Sequence, residues 1–600
     1  MLSGSLQMAN WLGNYVNETL EDYSPVTIIT ALLLLQYGPR FAYQTYSLYH
    51  EWDTKKIKET LMNNAVKKTL QVPVVGRIAD KLIRGEVTKN LNGYKVEIEA
   101  DREKSATPPI HSLPPEGYSI EEIRKVYPKK QIENKKGRLS GAIYSEYPPE
   151  FSAFLEKLYG ETALTNPMHP VFKDIKKKEA EVISWCRKLF NGPDGTHGVI
   201  TAGGTLSIFE ACKAYVLHAR KNGNQAPEII VPSSAHPAFW KAAEILNAKL
   251  VVVPVDKNTG RADVNAMKAA INRNTCMMAA SAPSFPFGVI DPIKELAEIA
   301  QNNKDWLHRS KPIPFHVDAC LGGFLTAFAK KAGVELPWCD FQNEGVSSVS
   351  ADIHKYGEGP KGVSIILFRR RAEVLIAPTP THTYLTSSVG SYVTPGLPGS
   401  RTGVQVVTAH AVMLYQGENG YVKDTAAILA LAKELTDEVK KIDGIIVPYS
   451  TQLSVVGMRT TSGINPLLVA ELMKSHGWEL NCLLTSDYQA DGFHFCLTAL
   501  HTKVPDFVKD FVTDLKKSVD YVKQNPHQKP KGIAKAYGVL ATGFVPSVVQ
   551  DLIGDMYVRI DQSLPGNNYP GYFWPKATPQ SAITETDKKE EEKRYTKKNL

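Results

Sequence analysis

The sequence predicts an α/β protein with a mainly parallel seven-stranded sheet in a large domain and a smaller C-terminal α+β domain. Three observations carry this prediction. Seven short β-rich runs follow one another from about residue 150: "HGVITAG", "EIIVP", "KLVVVPV", "CMMAAS", "IPFHVDA", "VSSVSAD" and "GVSIILF". Segments of helical length lie between several of them, such as "TLSIFEACKAYVLHARKNG" and "IKELAEIAQNNKDWLH". The runs are also continuously apolar rather than alternating, as strands covered on both faces are. With 600 residues the chain exceeds one ordinary core, so further lobes and tails are expected.

Taken in order, the segments read as follows. Residues 1–50 hold the most apolar run of the chain, Val26 to Leu35, ten residues where a membrane span needs about twenty. Extended through "QYGPRFAYQTYSLYH" it reaches that length, although Gly38, Pro39 and Arg40 interrupt it. Glu18, Glu21 and Asp22 precede the run; Arg40, Lys55, Lys56, Lys58, Lys67 and Lys68 follow it. That asymmetry predicts a single-pass anchor with its N-terminus outside and the rest of the chain cytosolic. Asn17 opens a glycosylation sequon on the outer side. The alternative is a buried or interfacial helix. No basic residue precedes the run and no clean cleavage site follows, so a signal peptide is not expected.

Residues 51–145 form a basic extension and linker, with nineteen basic and thirteen acidic side chains between 51 and 140. Most of the net charge of +8 therefore lies in one stretch. No aromatic–basic interleaving or zinc-finger spacing accompanies it, so no nucleic-acid partner is expected. The large domain is placed at 146–404 and the small one at 405–545. A C-terminal extension covers 546–600, its charged end from about 576 reading as a disordered tail. The seven cysteines are scattered without a C-x-x-C pair, which predicts reduced thiols and neither a disulfide framework nor a metal site.

Three features fall at predicted strand ends, where ligands of such sheets bind. "TAGGTLSIFEAC" puts Gly203, Gly204 and Thr205 at a strand-to-helix junction, where free N–H groups and the helix dipole suit a phosphate; a plain loop reads equally well. "IPFHVDACLGGF" ends an apolar run on Asp318, a carboxylate that needs a partner, either a protonated ring nitrogen or a structural salt bridge. "SADIHKYGEGPKG" places Lys355 after a strand and Lys361 six positions on among glycines. Such a lysine reads as a surface charge, a phosphate clamp or a covalent catalyst, since at the end of a buried strand it can lose its charge by desolvation and act as an amine nucleophile.

Phosphate cup, ring-pairing aspartate and lysine, in that order, are the parts of a pyridoxal-phosphate site. The order "GGT", "SAH", "HVDACLGG", "SADIHKYG" and "GSRTG" resembles fold-type I pyridoxal-phosphate enzymes, in the group related to amino-acid decarboxylases. "GAIYS", "NPMHP", "FPFGVIDP" and "HKYGEGPKG" are similar to the sphingosine-1-phosphate lyase family in particular, over about residues 136 to 500. The resemblance implies pyridoxal 5'-phosphate as cofactor and a Schiff-base linkage at Lys355. It implies that Asp318 pairs with the pyridinium nitrogen and that His236 stacks on the ring. Gly204, Thr205 and the Ser350–His354 neighbourhood would hold the cofactor phosphate. Tyr144, Asn166, His169 and Lys361 match positions around the substrate phosphate and reacting carbons, some supplied by a partner subunit.

The implied reaction is retro-aldol cleavage of a phosphorylated sphingoid base, with Tyr144, His169 and Lys361 beside Lys355 in the chemistry. Its base is left open among Tyr144, Lys355, His169 and the substrate phosphate. The resemblance also implies a homodimer with shared active sites and, with the basic segment near "VPVVGRIADKL", an endoplasmic reticulum membrane location. Two positions depart from the family pattern "SGGTES": Ala202 and Leu206 remove a hydroxyl and a carboxylate near the cofactor phosphate. Two other readings are an amino-acid decarboxylase, in which Arg401 of "GSRTG" binds a substrate carboxylate, and a non-catalytic membrane-associated protein retaining the fold.

Overall fold

Each of the seven β-rich runs forms a strand. They are β1 (His197–Thr201), β2 (Glu228–Pro232), β3 (Lys249–Val253), β4 (Thr275–Ser281), β5 (Phe315–Asp318), β6 (Val346–Ala351) and β7 (Ser364–Phe368). The computed structural model describes residues 116–126, 137–302, 312–369, 382–386, 390–484, 490–528 and 530. The chain divides into a unit of residues 129–544 and a second unit of 1–128 with 545–600. In the second unit the described part is 116–126, with the helix Ile120–Val126. The apolar run 26–35, Asn17, the basic extension and the C-terminal tail lie outside the described residues. Among the described residues, no helix is long and apolar enough to cross a membrane.

The strand order is β1-β7-β6-β5-β4-β2-β3, and the neighbours from β6 through β5, β4 and β2 to β3 pair in parallel. β7 runs antiparallel to both β6 and β1. Every residue of β2, β4, β5, β6 and β7 is buried, whereas the edge strand β3 is largely open. Burial on both faces explains why these runs are continuously apolar rather than alternating. The helix Gly204–Lys221 packs Ile208, Ala211, Cys212, Tyr215 and Val216 onto one face. On the other, Val182 and Cys186 of the helix Lys173–Leu189 and Phe324 of the helix Gly323–Ala329 join the larger core.

The smaller lobe is an antiparallel sheet of order β10-β11-β13-β12, from Ile445–Ile446, Val455–Thr460, Asn481–Leu484 and Ala490–Cys496. Its helix Phe507–Gln524 buries Phe507, Phe511, Leu515, Val519 and Val522, a helical-period stripe that meets Trp478 and Phe495 edge-on. The helix Val404–Val439 enters this lobe and is interrupted at Gly417, whose φ of 56° breaks the helical conformation. A two-stranded hairpin, β8 (His382–Thr386) with β9 (Gly390–Thr394), adds a unit the sequence reading did not include.

The boundary placed at 145 falls inside a packed segment. Leu139 bridges Glu479, Gly141 N donates to Cys496 O (3.0 Å), and Ser140 Oγ accepts from Asn481 Nδ2 (2.6 Å) and Cys496 N (2.8 Å). Residues 137–145 therefore belong with the small sheet, and they bring Tyr144 to the large one.

Candidate active site

The site lies at the carboxyl ends of β1, β5 and β6. Register pairs Asp318 with Ser350, so these two strands end side by side. Asp318 is 6% exposed, and its Oδ1 accepts from Cys320 N (3.1 Å) and from Ser350 Oγ (3.4 Å). Ser350 Oγ also meets His316 Nε2 at 3.2 Å, while His316 Nδ1 lies 2.8 Å from Ser348 Oγ. Burial pushes His316 down to about 4, so the ring is neutral at physiological pH. The Ser350 hydroxyl is thus spent beneath the aspartate. Strand alternation turns that side chain toward Asp318 and Cys320.

Lys355 follows β6 in a turn whose backbone closes from Lys355 N to Asp352 O (3.2 Å). The turn puts the Asp352 carboxylate, 2% exposed, 2.9 Å from Lys355 Nζ. Burial pulls the lysine amine down, but Asp352 and its other anionic neighbours outweigh it and hold the amine above its ordinary value. The expectation of a lysine neutralised by desolvation is therefore corrected. Asp352 was passed over in the sequence, although its spacing of three from the lysine is the signal that finds it. His354 Nδ1 donates to Val363 O (2.7 Å), and burial lowers its pKa, leaving a neutral ring.

Gly203, Gly204 and Thr205 start the helix Gly204–Lys221 at this same end, with Gly203 at φ 105°. Leu206 N and Ser207 N bond back to Gly203 O, so the Gly204 and Thr205 N–H groups are the ones the first turn leaves without intrahelical partners. A Cβ at Gly204 would lie 2.7 and 2.8 Å from the two Asp352 oxygens, which only glycine permits. Hydroxyls tie the junction together: Thr201 Oγ1 meets Ser207 Oγ (2.6 Å), Ser207 Oγ meets Ser364 Oγ (2.9 Å), and Ser364 Oγ donates to Ala351 O (3.0 Å). Ala202 is exposed and Leu206 half-buried, and neither offers a polar group.

Tyr144 and Lys361 face each other on the small-lobe side. Lys361 Nζ sits 4.6 Å from the centre of the Tyr144 ring, which meets Tyr356 edge-on at 5.0 Å. Tyr356 OH donates to Leu497 O (2.6 Å), tying the turn after Lys355 to the strand end at Cys496. Burial holds the Tyr144 phenol well above its ordinary value, so it is protonated at neutral pH and serves as a donor. Lys361 is exposed, and partial desolvation with the nearby Lys355 charge draws its amine below its ordinary value.

His236 is half-buried in the turn after β2, its Nδ1 accepting from Ala238 N (3.2 Å). Ser234 Oγ in the same turn is buried without a partner, as is Asp352 Oδ1. Asn166 and His169 lie on the loop after the helix Pro149–Thr162, where Asn166 Nδ2 donates to Ser400 Oγ (3.2 Å) and His169 is exposed. Among the described residues, no hydrogen bond or ion pair joins either to Lys355, Lys361 or Tyr144. Arg401 is held by Glu179, its Nη2 lying 2.6 Å from both carboxylate oxygens, while its Nη1 is buried without a partner.

Pyridoxal 5'-phosphate fits these residues. A buried carboxylate at a strand end, a lysine beside it, an unpartnered buried hydroxyl and a helix N-terminus with free N–H groups are the donor set it needs. Residues 151–460 match the pyridoxal-dependent decarboxylase conserved domain. Sphingosine-1-phosphate lyase 1 of Rattus norvegicus is 35% identical over 88% of each chain. The sphingosine-1-phosphate lyase of Arabidopsis thaliana is 34% identical over 88% of this chain and 93% of its own. A solved sphingosine-1-phosphate lyase from Burkholderia pseudomallei has a TM-score of 0.64 at 29% identity, covering 74% of this chain and 97% of that one. A glutamate decarboxylase from Lactobacillus brevis shares the fold at 18% identity and a TM-score of 0.59, covering 72% of this chain and 98% of its own. With the lysine, the aspartate and the glycine cup in place, the chain belongs to the pyridoxal-phosphate-dependent sphingosine-1-phosphate lyase family.

Proposed function

We propose that the protein is a carbon–carbon lyase that cleaves sphingosine 1-phosphate and related phosphorylated sphingoid bases into a long-chain aldehyde and phosphoethanolamine. The observation that carries this reading is Lys361 with Tyr144, the lysine Nζ lying 4.6 Å from the centre of the buried tyrosine ring. The bound cofactor supplies the electron sink for the bond between carbons two and three of the substrate. Asp318 holds the ring nitrogen protonated, and the N–H groups of Gly204 and Thr205 hold the cofactor phosphate. His236 covers the ring face. Tyr144 donates to the substrate phosphate or to the hydroxyl on carbon three, and Lys361 neutralises the phosphate charge.

Asn166 and His169 act from a partner subunit in a homodimer, a reading supported by the family resemblance of "NPMHP". The apolar run and its one-sided lysines support an anchor in the endoplasmic reticulum membrane with the catalytic part cytosolic. The test is incubation of purified protein with sphingosine 1-phosphate, sphingosine and a panel of amino acids. Aldehyde and phosphoethanolamine should appear with the phosphorylated base alone. Lys361→Ala should lower kcat/KM for it roughly ten- to a hundredfold, as for a lost charge-assisted hydrogen bond of about 1.5–3 kcal/mol. Release of carbon dioxide from an amino acid, with Lys361→Ala barely affected, would overturn the reading.

A further inference from the structure

We propose that Asp352 is the positioning residue of Lys355, holding its side chain as an ammonium whenever the lysine is not bonded to the cofactor. The inference rests on the reading of Lys355 as the cofactor lysine and extends it to a carboxylate with no role so far. Several observations converge on it. Asp352 is 2% exposed at the end of β6, and an ionised carboxylate so buried requires a partner. Among the described residues, two basic side-chain nitrogens come within 4.0 Å: Lys355 Nζ at 2.9 Å and His354 Nε2 at 3.6 Å. His354 gives its Nδ1 proton to Val363 O, so in the neutral ring Nε2 carries no hydrogen and cannot donate. The carboxylate is therefore balanced by Lys355. Its second oxygen, Oδ1, is buried without a partner, and both oxygens rest where a Cβ on Gly204 would go. The carboxylate thus lies between the lysine and the helix end that receives the cofactor phosphate.

This placement has a chemical consequence. The substrate amine arrives as an ammonium and must shed one proton to attack. Its attack forms one carbon–nitrogen bond and breaks the corresponding bond to Lys355, which leaves as a neutral amine. The shed proton ends on Lys355, and Asp352 holds the resulting ammonium 2.9 Å away. Atoms and charge balance without another reactant. A lysine held in this way is also withdrawn from immediate return attack.

The test uses the full-length, cofactor-free protein and a readout independent of turnover. Competitive acylation across a pH series, resolved by mass spectrometry, gives the titration midpoint of the Lys355 amine. The wild-type midpoint should lie at or above that of an ordinary lysine, about 10.4, despite burial. Asp352→Asn should lower it by about one to three pH units, and Asp352→Glu should restore most of the difference. Asp318, Cys320, His354, Lys361 and Cys496 also act on the amine and persist in both variants. A wild-type midpoint well below 10 overturns the proposal without recourse to any variant, and so does an unchanged midpoint in folded Asp352→Asn. Borohydride trapping of the loaded wild type separates the two readings: label away from Lys355 defeats the cofactor assignment, whereas label on Lys355 with an unmoved midpoint defeats only the role of Asp352.

Discussion

Gly204→Ala tests the packing of the cofactor cup against the site lysine. The added Cβ would stand 2.7 and 2.8 Å from the Asp352 oxygens and 3.0 Å from Cys320 Sγ. None of these is the loose end of a long side chain. Asp352 is short, 2% exposed and paired with Lys355, and Cys320 is fixed by Ser350 at 3.2 Å. The carboxylate must shift by several tenths of an ångström, or the helix end must lift. Overpacking of this kind costs about 1–3 kcal/mol. Strain at the helix end falls on the N–H groups of Gly204 and Thr205, so it should reappear as lost cofactor affinity. At about 1.4 kcal/mol per tenfold, the dissociation constant should rise roughly five- to 150-fold. Titration of cofactor-free protein with pyridoxal 5'-phosphate, followed by absorbance, measures this directly. Gly160→Ala is the control: nothing lies within 4 Å of that position, so cofactor binding should be unchanged. Wild-type affinity and an unchanged Tm in Gly204→Ala would refute the close approach of the helix end to Asp352.

Three further outcomes are expected. Borohydride should fix the cofactor onto the peptide containing Lys355, and Lys355→Ala should lose turnover almost wholly because the covalent attachment is gone. Burial, reinforced by Asp424, raises the Glu358 carboxyl from 4.5 to about 8, so the folded protein retains a proton that the unfolded chain releases above 4.5. The stability contributed by that proton is fully present below 4.5 and is lost as the pH rises through about 8, so Glu358→Gln should flatten the fall in the urea midpoint across this window. Deleting residues 1–50 should give a soluble enzyme with nearly unchanged turnover, and recovery of the full-length chain in the supernatant without detergent would count against the anchor.

The sheet was legible because its strands are buried on both faces and end at glycine, proline or polar residues. All seven runs became β1 to β7 for that reason. The hairpin β8–β9 was not legible, since "HTYLT" and "GSYVT" mix polar and apolar residues without a continuous apolar run. Nor did local pattern show that residues 137–145 pair with the small sheet. That pairing joins Ser140 to Asn481 and Cys496, more than 300 positions away, and no sequence period reports such a contact. In the site, the order of motifs pointed to Lys355 and Asp318, which the fold brings to neighbouring strand ends. The contacts of Ser350 were also open to the sequence: in a strand, Ser348 and Ser350 leave on the same face, here toward His316.

The two lysines of "HKYGEGPKG" show how backbone geometry decides what a sequence interval means. Six residues of extended chain would separate Lys355 and Lys361 by about 20 Å. Instead the loop turns back on itself, with Glu358 N donating to Lys355 O (2.9 Å) and Gly359 N to Ile353 O (2.8 Å). A Cβ at Gly357 would lie 2.7 Å from Ile353 O, and one at Gly359 would lie 3.0 Å from Ile353 Cγ2. Gly357 is therefore required by close backbone approach, Gly359 is packed against the Ile353 side chain, and Gly362 is required by its φ of 87°. Folding the loop this way brings both amines within electrostatic reach of each other, yet their environments diverge. Lys355 faces the buried Asp352 carboxylate and is held up, while Lys361 faces the Tyr144 ring and is drawn down by partial desolvation and by Lys355 itself. One loop thus presents an ammonium secured by its own counter-ion and a second cation that makes no salt bridge among the described residues, the group proposed above to meet the substrate phosphate.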